Sequence, residues 1–249
     1  MRLIHTGLLL AAFVAGSTAA SAQTADEIVE KTLTALGGRA ALAKITNRSM
    51  TGKMVVSTDN GDIPGTIETT LAAPNKMRRL ITLDLSQFGA PSATIEQRFD
   101  GTTGVVMDSM RGDSTLGGSM LDNLKNGIFP SPLLDYKARD TKILLGGKEK
   151  IGDRDVYALS ITPASGPVTR LFIDAQSYLP VRSVVTLDIP ELGPQEQTTD
   201  LSDYREVDGI KVAFAIKAAS AIQTFTVAFT KVEQNVKLDP GLFTKPVAK

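Results

Sequence analysis

The sequence predicts a mainly β (α+β) protein, a curved antiparallel sheet of about eleven strands with helices over its apolar face. Runs of alternating apolar and polar residues recur between positions 49 and 236, separated by turn signals roughly every 8–12 residues. Asp100-Gly101 and Asp208-Gly209 lie between such runs, and Asp-Gly favours a tight hairpin because the turn needs positive φ. Helical spacing is confined to the N-terminus and to residues 116–138. Because so long a sheet has to curl or close, these helices are the available cover for its hollow face.

The first 22 residues are predicted to be a cleaved signal peptide. A short apolar run from Leu8 to Val14 precedes Ala20-Ser21-Ala22, which is typical of a cleavage site between Ala22 and Gln23. The run is too short to span a bilayer, and the alternative is an ordinary buried helix. We therefore expect an exported protein in which residues 23–249 form a single domain, since no charge block or low-complexity tract divides them.

The mature chain is predicted to open with a helix. Thr24 and Glu27 have the spacing of a capping box, and Gly37-Gly38 is typical of a helix C-terminus because glycine adopts the left-handed cap conformation. Between them an apolar stripe recurs at helical spacing. The stripe predicts a helix that packs across the sheet, either as a cavity wall or as plain core, and it consists of Ile28, Val29, Thr32, Leu33 and Leu36.

The C-terminal third is predicted to be an antiparallel meander with one apolar face. Phe214, Phe225 and Phe229 share the apolar parity of two strands, whereas Thr, Ala and Lys occupy the other parity. We expect these three side chains, together with Phe172 of an earlier strand, to face the covered side of the sheet and to contact a ligand.

A second helical stretch, residues 116–134, is predicted to be a short lid. It is too apolar for a free surface loop, and Pro130 and Pro132 interrupt it too early for a long core helix. A second short helix is predicted at 133–138. The side chains expected to close over the concave face and contact a ligand are Leu116, Met120, Leu121, Leu124, Ile128, Phe129, Leu133 and Leu134.

Composition argues against several functional classes. The chain has 27 Lys and Arg and 27 Asp and Glu, so its net charge is zero and no nucleic-acid partner is expected. It has no Cys, and its single His, His5, lies in the predicted signal peptide. The commonest general base and the thiol nucleophiles are therefore missing, and we expect no enzyme, no cofactor and no metal. Aspartates at turns leave a carboxylate pair for glycoside hydrolysis or Ca²⁺ as an alternative, although Asp is an ordinary turn former.

Several short motifs, taken in order and spacing, resemble those of one family. The LolA/LolB-like periplasmic lipoprotein carriers and outer-membrane lipoprotein-sorting proteins have similar motifs, and the likeness runs over most of residues 24–246. The matching stretches are Ala73-Pro74-Asn75-Lys76-Met77-Arg78, Phe99-Asp100-Gly101-Thr102-Thr103-Gly104, Thr169-Arg170-Leu171-Phe172-Ile173-Asp174 with Tyr178-Leu179-Pro180, Tyr204 to Phe214, and Leu238-Asp239-Pro240-Gly241-Leu242-Phe243.

The resemblance implies an unclosed antiparallel β-barrel around a helical lid, with an apolar cavity for lipid acyl chains. Carriers of this family hold the lid shut with an arginine on an early strand, and the nearest candidates are Arg78 and Arg79. The same two arginines could instead form a solvated edge or contact a lipid head group. The resemblance also implies a monomer that meets a membrane-bound partner protein.

We therefore expect an exported, soluble protein that binds lipid or lipoprotein acyl chains and carries them across the periplasm toward the outer membrane. The alternative is a non-enzymatic periplasmic sensor or protein-interaction module of the same fold. A sensor would capture a protein partner through a sheet edge and carry no lipid.

Overall fold

The protein, described here by a computed structural model over residues 23–189, 192–221 and 223–246, folds around one large antiparallel sheet. The helices are α1 (Ala25–Ala35), α2 (Arg39–Leu42) and α3 (Gly118–Lys125), with single 3-10 turns at Ser86–Phe88 and Tyr136–Arg139. The strands are β1 (Asn47–Thr58), β2 (Gly61–Ala72), β3 (Lys76–Leu83), β4 (Ala93–Phe99), β5 (Gly104–Asp108), β6 (Gly112–Thr115), β7 (Lys142–Ile151), β8 (Arg154–Thr162), β9 (Thr169–Asp174), β10 (Pro180–Ile189), β11 (Gly193–Val207), β12 (Ile210–Ala219) and β13 (Thr224–Gln234).

Two meanders make the sheet. Its order is β6-β5-β4-β3-β2-β1-β13-β12-β11-β10-β9-β8-β7, so the only neighbours distant in sequence are β1 and β13. In the described residues β6 and β7 are free edges, and the barrel is not closed, as predicted. The sheet has 13 strands rather than about eleven. One of the additional strands is β6, whose four residues are all exposed and show no apolar alternation from which a strand could be predicted.

The predicted hairpin turns are confirmed by their backbone angles. Asp208 and Gly209 have φ of 49° and 76° between β11 and β12, and Gly101 has φ of 104° between β4 and β5. At Asp208-Gly209, positive φ at both central residues gives a turn whose twist matches that of the flanking strands.

Helix α1 begins and ends where the sequence indicates. The side chain of Thr24 accepts a hydrogen bond from the Glu27 amide, and the Glu27 side chain accepts one from the Thr24 amide. Gly37 and Gly38, with φ of 127° and 93°, terminate the helix. Its apolar stripe is buried against the sheet, with Ile28 and Val29 fully inaccessible to solvent. The helix therefore fixes which side of the sheet is covered.

The strand registers divide the side chains into an inner face, packed against α1, and an outer face. Most buried apolar residues lie on the inner face in one main core that includes α1. A smaller cluster on the outer face consists of Val156, Ala158, Phe172 and Val181. The expectation that Phe172 shares the covered wall is therefore wrong. Phe172 pairs with Arg182, and its neighbours Leu171 and Ile173 take the inner face instead.

The stretch between the two sheet edges is only partly helical. Helix α3 has no buried residue, whereas Phe129, Leu133, Leu134 and Tyr136 all belong to the main core. The predicted helix at 133–138 is replaced by the 3-10 turn Tyr136–Arg139. In the described part of the chain, no helix is long and apolar enough to cross a membrane. The predicted signal peptide, up to Ala22, lies outside the described residues.

Candidate functional site

A cavity of about 640 Å³ lies between the inner face of the sheet and the chain that follows α3. A ligand pocket typically measures about 300–1,000 Å³ and has a mostly apolar lining with a few polar groups. The cavity fits this description. Its apolar side chains come from the C-terminal end of α1, from α2, α3 and six strands, and from the segment after α3. They include Leu36, Leu42, Leu71, Met77, Leu124, Ile128, Leu133, Ile161, Leu171, Leu201, Ile210 and Val212.

Hydrogen bonds, rather than buried side chains, hold α3 over this cavity. Ser119 Oγ accepts a bond of 2.8 Å from the Asp188 amide and donates one of 3.0 Å to the Asp188 carbonyl. At the other end of the helix, Asn75 Nδ2 donates to the Lys125 carbonyl at 3.0 Å. Asn126 Nδ2 donates to the Ser165 carbonyl at 2.8 Å. These bonds join α3 to β10, to the β2–β3 turn and to the β8–β9 loop, so the helix spans the opening of the sheet.

The residues predicted to form the lid are brought together only in part. Leu124, Ile128 and Leu133 line the cavity. Leu116 packs with Leu124 over Gly104, where a Cβ atom would lie 3.0 Å from Leu116 Cδ1. The remaining members do not line the cavity: Met120 and Leu121 are half-buried on α3, and Phe129 and Leu134 are buried in the main core.

The phenylalanines predicted on the sheet lie near the covered side but not in the cavity wall. Phe214 and Phe229 are buried in the main core, and Phe225 packs against it. The Arg205 guanidinium stacks over the Phe214 ring with a distance of 4.5 Å to its centroid. None of the three, and not Phe172, lines the cavity. Contact of these rings with a ligand therefore stays a prediction.

The adjacent residues Arg78 and Arg79 point to opposite faces of β3. Arg78 lies on the outer face and forms ion pairs with Glu96 at 2.6 Å and Glu68 at 3.4 Å. Arg79 shares the inner face with Thr69 and Gln97, its pairing partners on β2 and β4. Its Nε atom is inaccessible to solvent and has no hydrogen-bond partner, and burial lowers its pKa. Neither residue forms a described hydrogen bond to the lid, and the buried guanidinium of Arg79 does not form a solvated edge.

Arg139 donates hydrogen bonds within the segment that follows α3. Its Nη1 donates to the Leu134 carbonyl at 2.7 Å, and its Nη2 donates to the Pro132 carbonyl at 2.8 Å. The guanidinium thereby stabilises the chain that returns from α3 to the sheet, and it also lines the cavity. The sequence offered no periodic signal for Arg139, because it lies in a 3-10 turn.

Arg48 is a second cavity residue that the sequence analysis missed. It lies on the inner face of β1, where it pairs with Leu71, and Leu71 in turn pairs with Met77. Its Cζ atom lies 5.3 Å from the centroid of Phe129, and Nη2 donates to Gln234 Oε1 at 3.4 Å. Its Nε atom is buried without a partner, and desolvation lowers the pKa of Arg48 to about 10. Its parity with Met50 and Met54 was the available signal.

Acidic groups are scarce at this cavity. Among the described residues no group of three or more His, Cys, Asp or Glu side chains is placed to hold a metal ion. The described lining residues include neither Asp nor Glu, so they assemble no carboxylate pair for glycoside hydrolysis.

The fold is similar to three solved structures. A LolA superfamily protein from Nitrosomonas europaea has a TM-score of 0.56 and 15% identity, covering 90% of this chain and 99% of that chain. A putative outer membrane lipoprotein-sorting protein domain from Vibrio parahaemolyticus has a TM-score of 0.55 and 11% identity, and the match covers 88% of this chain and 95% of that chain. A DUF1329 family protein from Desulfovibrio piger has a TM-score of 0.57 and 13% identity, and the match covers 88% of this chain and 96% of that chain. No protein-family model and no curated protein matches the sequence. The predicted LolA-like fold is confirmed.

Proposed function

From this LolA-like fold, we propose that the protein is a periplasmic carrier that binds lipid or lipoprotein acyl chains in the cavity beneath α3. The observation that carries the proposal is the apolar cavity of about 640 Å³, covered by a helix that has no buried residue of its own. An apolar cavity gains free energy when hydrocarbon replaces water in it. A cover held mainly by surface hydrogen bonds separates from the sheet at lower cost than a packed core element does.

Magnitudes favour a ligand with more than one chain. Each buried methylene contributes about 0.8 kcal/mol, so a chain of about fourteen carbons contributes roughly 11 kcal/mol before costs. Association and ordering cost about 4–15 kcal/mol. One chain is therefore held weakly or moderately, and two or three chains are held firmly.

The structural relatives support the proposal in part. One of them is described as an outer membrane lipoprotein-sorting protein domain, at 11% identity to this chain. The proposal extends that role to this protein, together with export after cleavage between Ala22 and Gln23, a monomeric state and a membrane-bound partner that delivers or receives the lipid. The protein is then a binding protein and not an enzyme.

The edge strands of the sheet do not favour the alternative, a module that captures a protein partner by adding a strand. Edge strand β6 is only four residues long. On β7, Lys142, Lys148 and Lys150 are exposed. Short edge strands and edge lysines are common devices that discourage strand addition.

The test replaces two leucines of α3 with aspartate, Leu121→Asp with Leu124→Asp, and measures displacement of a dansyl-labelled fatty acid. We expect at least a tenfold loss of probe affinity, because a charge at Leu124 faces the apolar cavity. Since α3 has no buried residue, we expect little change in the circular dichroism of the sheet or in Tm.

A matched control is Leu144→Asp, since Leu144 on β7 is 67% exposed and does not line the cavity. This variant should bind the probe as the unchanged protein does. Normal probe binding by the α3 double variant would overturn the proposal, and so would the absence of lipid in protein purified from the periplasm and analysed by mass spectrometry.

A further inference from the structure

The charged residues that line the cavity are all basic. Three of them come from separate elements: Arg48 on β1, Lys125 at the end of α3 and Arg139 in the 3-10 turn. A fourth, Lys211, alternates on β12 with the inner-face residues Ile210 and Val212, so its side chain lies on the outer face. The described lining residues include neither Asp nor Glu. The whole chain has equal numbers of acidic and basic residues, so this local excess is not a consequence of overall charge.

The two guanidinium groups at the cavity have no carboxylate partner in the described part of the chain. Arg48 has one long hydrogen bond, to the neutral amide of Gln234 at 3.4 Å, and its buried Nε has none. Arg139 donates to main-chain carbonyls only. By contrast, Arg78, Arg170 and Arg182, which lie on the outer face, all form ion pairs with Glu or Asp.

Burying a guanidinium without a counter-ion is costly, because the charge loses its hydration and gains no charged partner. Its pKa of about 10 still leaves Arg48 protonated at neutral pH. An anion placed against Arg48 would offset this cost with a charge-assisted hydrogen bond, and the planar group of an arginine matches carboxylate and phosphate oxygens.

Resting on the proposed function, we propose that the cavity selects an anionic amphiphile, with its carboxylate or phosphate against Arg48 and its chain along the apolar wall. The apolar lining and the unpaired basic groups then serve two parts of one molecule. Arg139 and the exposed Lys125 add positive potential at the same cavity.

The experiment compares three ligands with one chain length: dodecanoate, dodecyl phosphate and the neutral dodecanol. Each is titrated against the dansyl-labelled fatty acid at neutral pH, and inorganic phosphate is titrated separately. We expect the protein to bind at least one of the anionic ligands roughly 10- to 100-fold more tightly than dodecanol, the range of a charge-assisted hydrogen bond in a shielded site. The anionic ligand that binds more tightly shows whether the site prefers a carboxylate or a phosphate head group.

Arg48→Met should bring the ratio of the Kd for the anionic ligand to the Kd for dodecanol close to one. Arg48→Lys should retain part of the preference for the anionic ligand. The matched control is Arg170→Met: Arg170 lies between the cavity residues Thr169 and Leu171 but on the outer face, so the ratio should stay unchanged. If Arg48→Met does not fold, Lys125→Met, which alters an exposed side chain at the cavity, should still bring the ratio closer to one.

The outcomes separate this inference from the proposed function. Equal affinity for all three ligands overturns the anionic selectivity and leaves acyl-chain binding intact. Displacement of the probe by inorganic phosphate alone also overturns it, since the site would then recognise a free anion. If neither the dansyl-labelled fatty acid nor any of the three ligands binds the protein, the proposed function is overturned instead.

Discussion

The segment that joins the two edges of the sheet has two parts with opposite properties. The helical part is α3, Gly118–Lys125, which has no buried residue and is held to the sheet by surface hydrogen bonds. The anchored part, residues 129–139, places Phe129, Leu133 and Tyr136 in the main core beside α1. The sequence presents both parts as equally apolar. This cover therefore combines one part that is fixed in the core with another that is free to separate from the sheet.

The largest expected effect comes from the centre of the anchored part. Leu133 is 1% exposed, so Leu133→Ala should lower the free energy of unfolding by about 2–5 kcal/mol, the cost of a core cavity. Leu121→Ala on α3 should cost less than about 1 kcal/mol, because Leu121 is only half-buried. Urea denaturation of both variants measures the comparison directly. Equal losses would show that the two parts form one packed unit.

A smaller effect is expected where the anchored part meets α1. The Tyr136 hydroxyl donates a hydrogen bond to the Asp26 carboxylate, and burial, together with this carboxylate, raises the pKa of Tyr136. The phenol therefore remains protonated at neutral pH. Tyr136→Phe removes the bond and leaves the ring packed, so we expect a loss of about 1 kcal/mol in urea denaturation. A loss as large as that of Leu133→Ala would mean that the bond, and not the core, fixes this part.

The same contact makes stability depend on pH. Hydrogen bonds from Lys137 and Tyr136 lower the pKa of Asp26 below its ordinary value of 3.8. A carboxylate with a lowered folded-state pKa stabilises the protein above the unfolded pKa, and this contribution is lost as pH falls through the folded value.

The measurement compares the urea midpoints of the unchanged protein and Asp26→Asn. Their difference should be constant from pH 7 to about pH 4 and shrink below it. Because Asp26 is largely exposed, the difference should be small. A difference that grows toward low pH would contradict the assigned direction of the pKa.

The smallest expected effect on stability is at α3 itself. Ser119→Ala removes the two hydrogen bonds to Asp188 at the exposed start of the helix, and we expect a change within about 0.5 kcal/mol. Hydrogen exchange should nevertheless quicken at α3 and not in β8, because the helix opens locally. A global loss of protection would show that α3 is part of the cooperative core.

Local patterns predicted the secondary structure well. The capping box at Thr24, the glycines after α1, the Asp-Gly turns and the alternation of the strands are short-range features, and each depends on residues within a few positions of one another. The exposed strand β6 carried no such pattern, and it forms only because β5 offers a free edge.

The candidate site was harder to predict. Apolar content marked residues 116–134 as a cover, but it could not separate Leu124 and Ile128 at the cavity from Phe129 and Leu134 in the core. It also grouped Phe172 with the inner face, although pairing between β9 and β10 turns that side chain outward. Both distinctions depend on contacts between segments far apart in the chain.

Periodicity and the backbone preferences of single residues already specify most of the strands, the turns, the first helix and the presence of an apolar cover. Which side chains meet at the cavity depends on tertiary contacts. Arg48 and Arg139 are 91 positions apart, and neither has a distinctive neighbourhood in sequence. They share one cavity because β1 lies in the middle of the sheet and the 3-10 turn belongs to the segment that leads from α3 to the edge strand β7. Burial and the lack of a counter-ion, the properties that give Arg48 its proposed role, are consequences of packing.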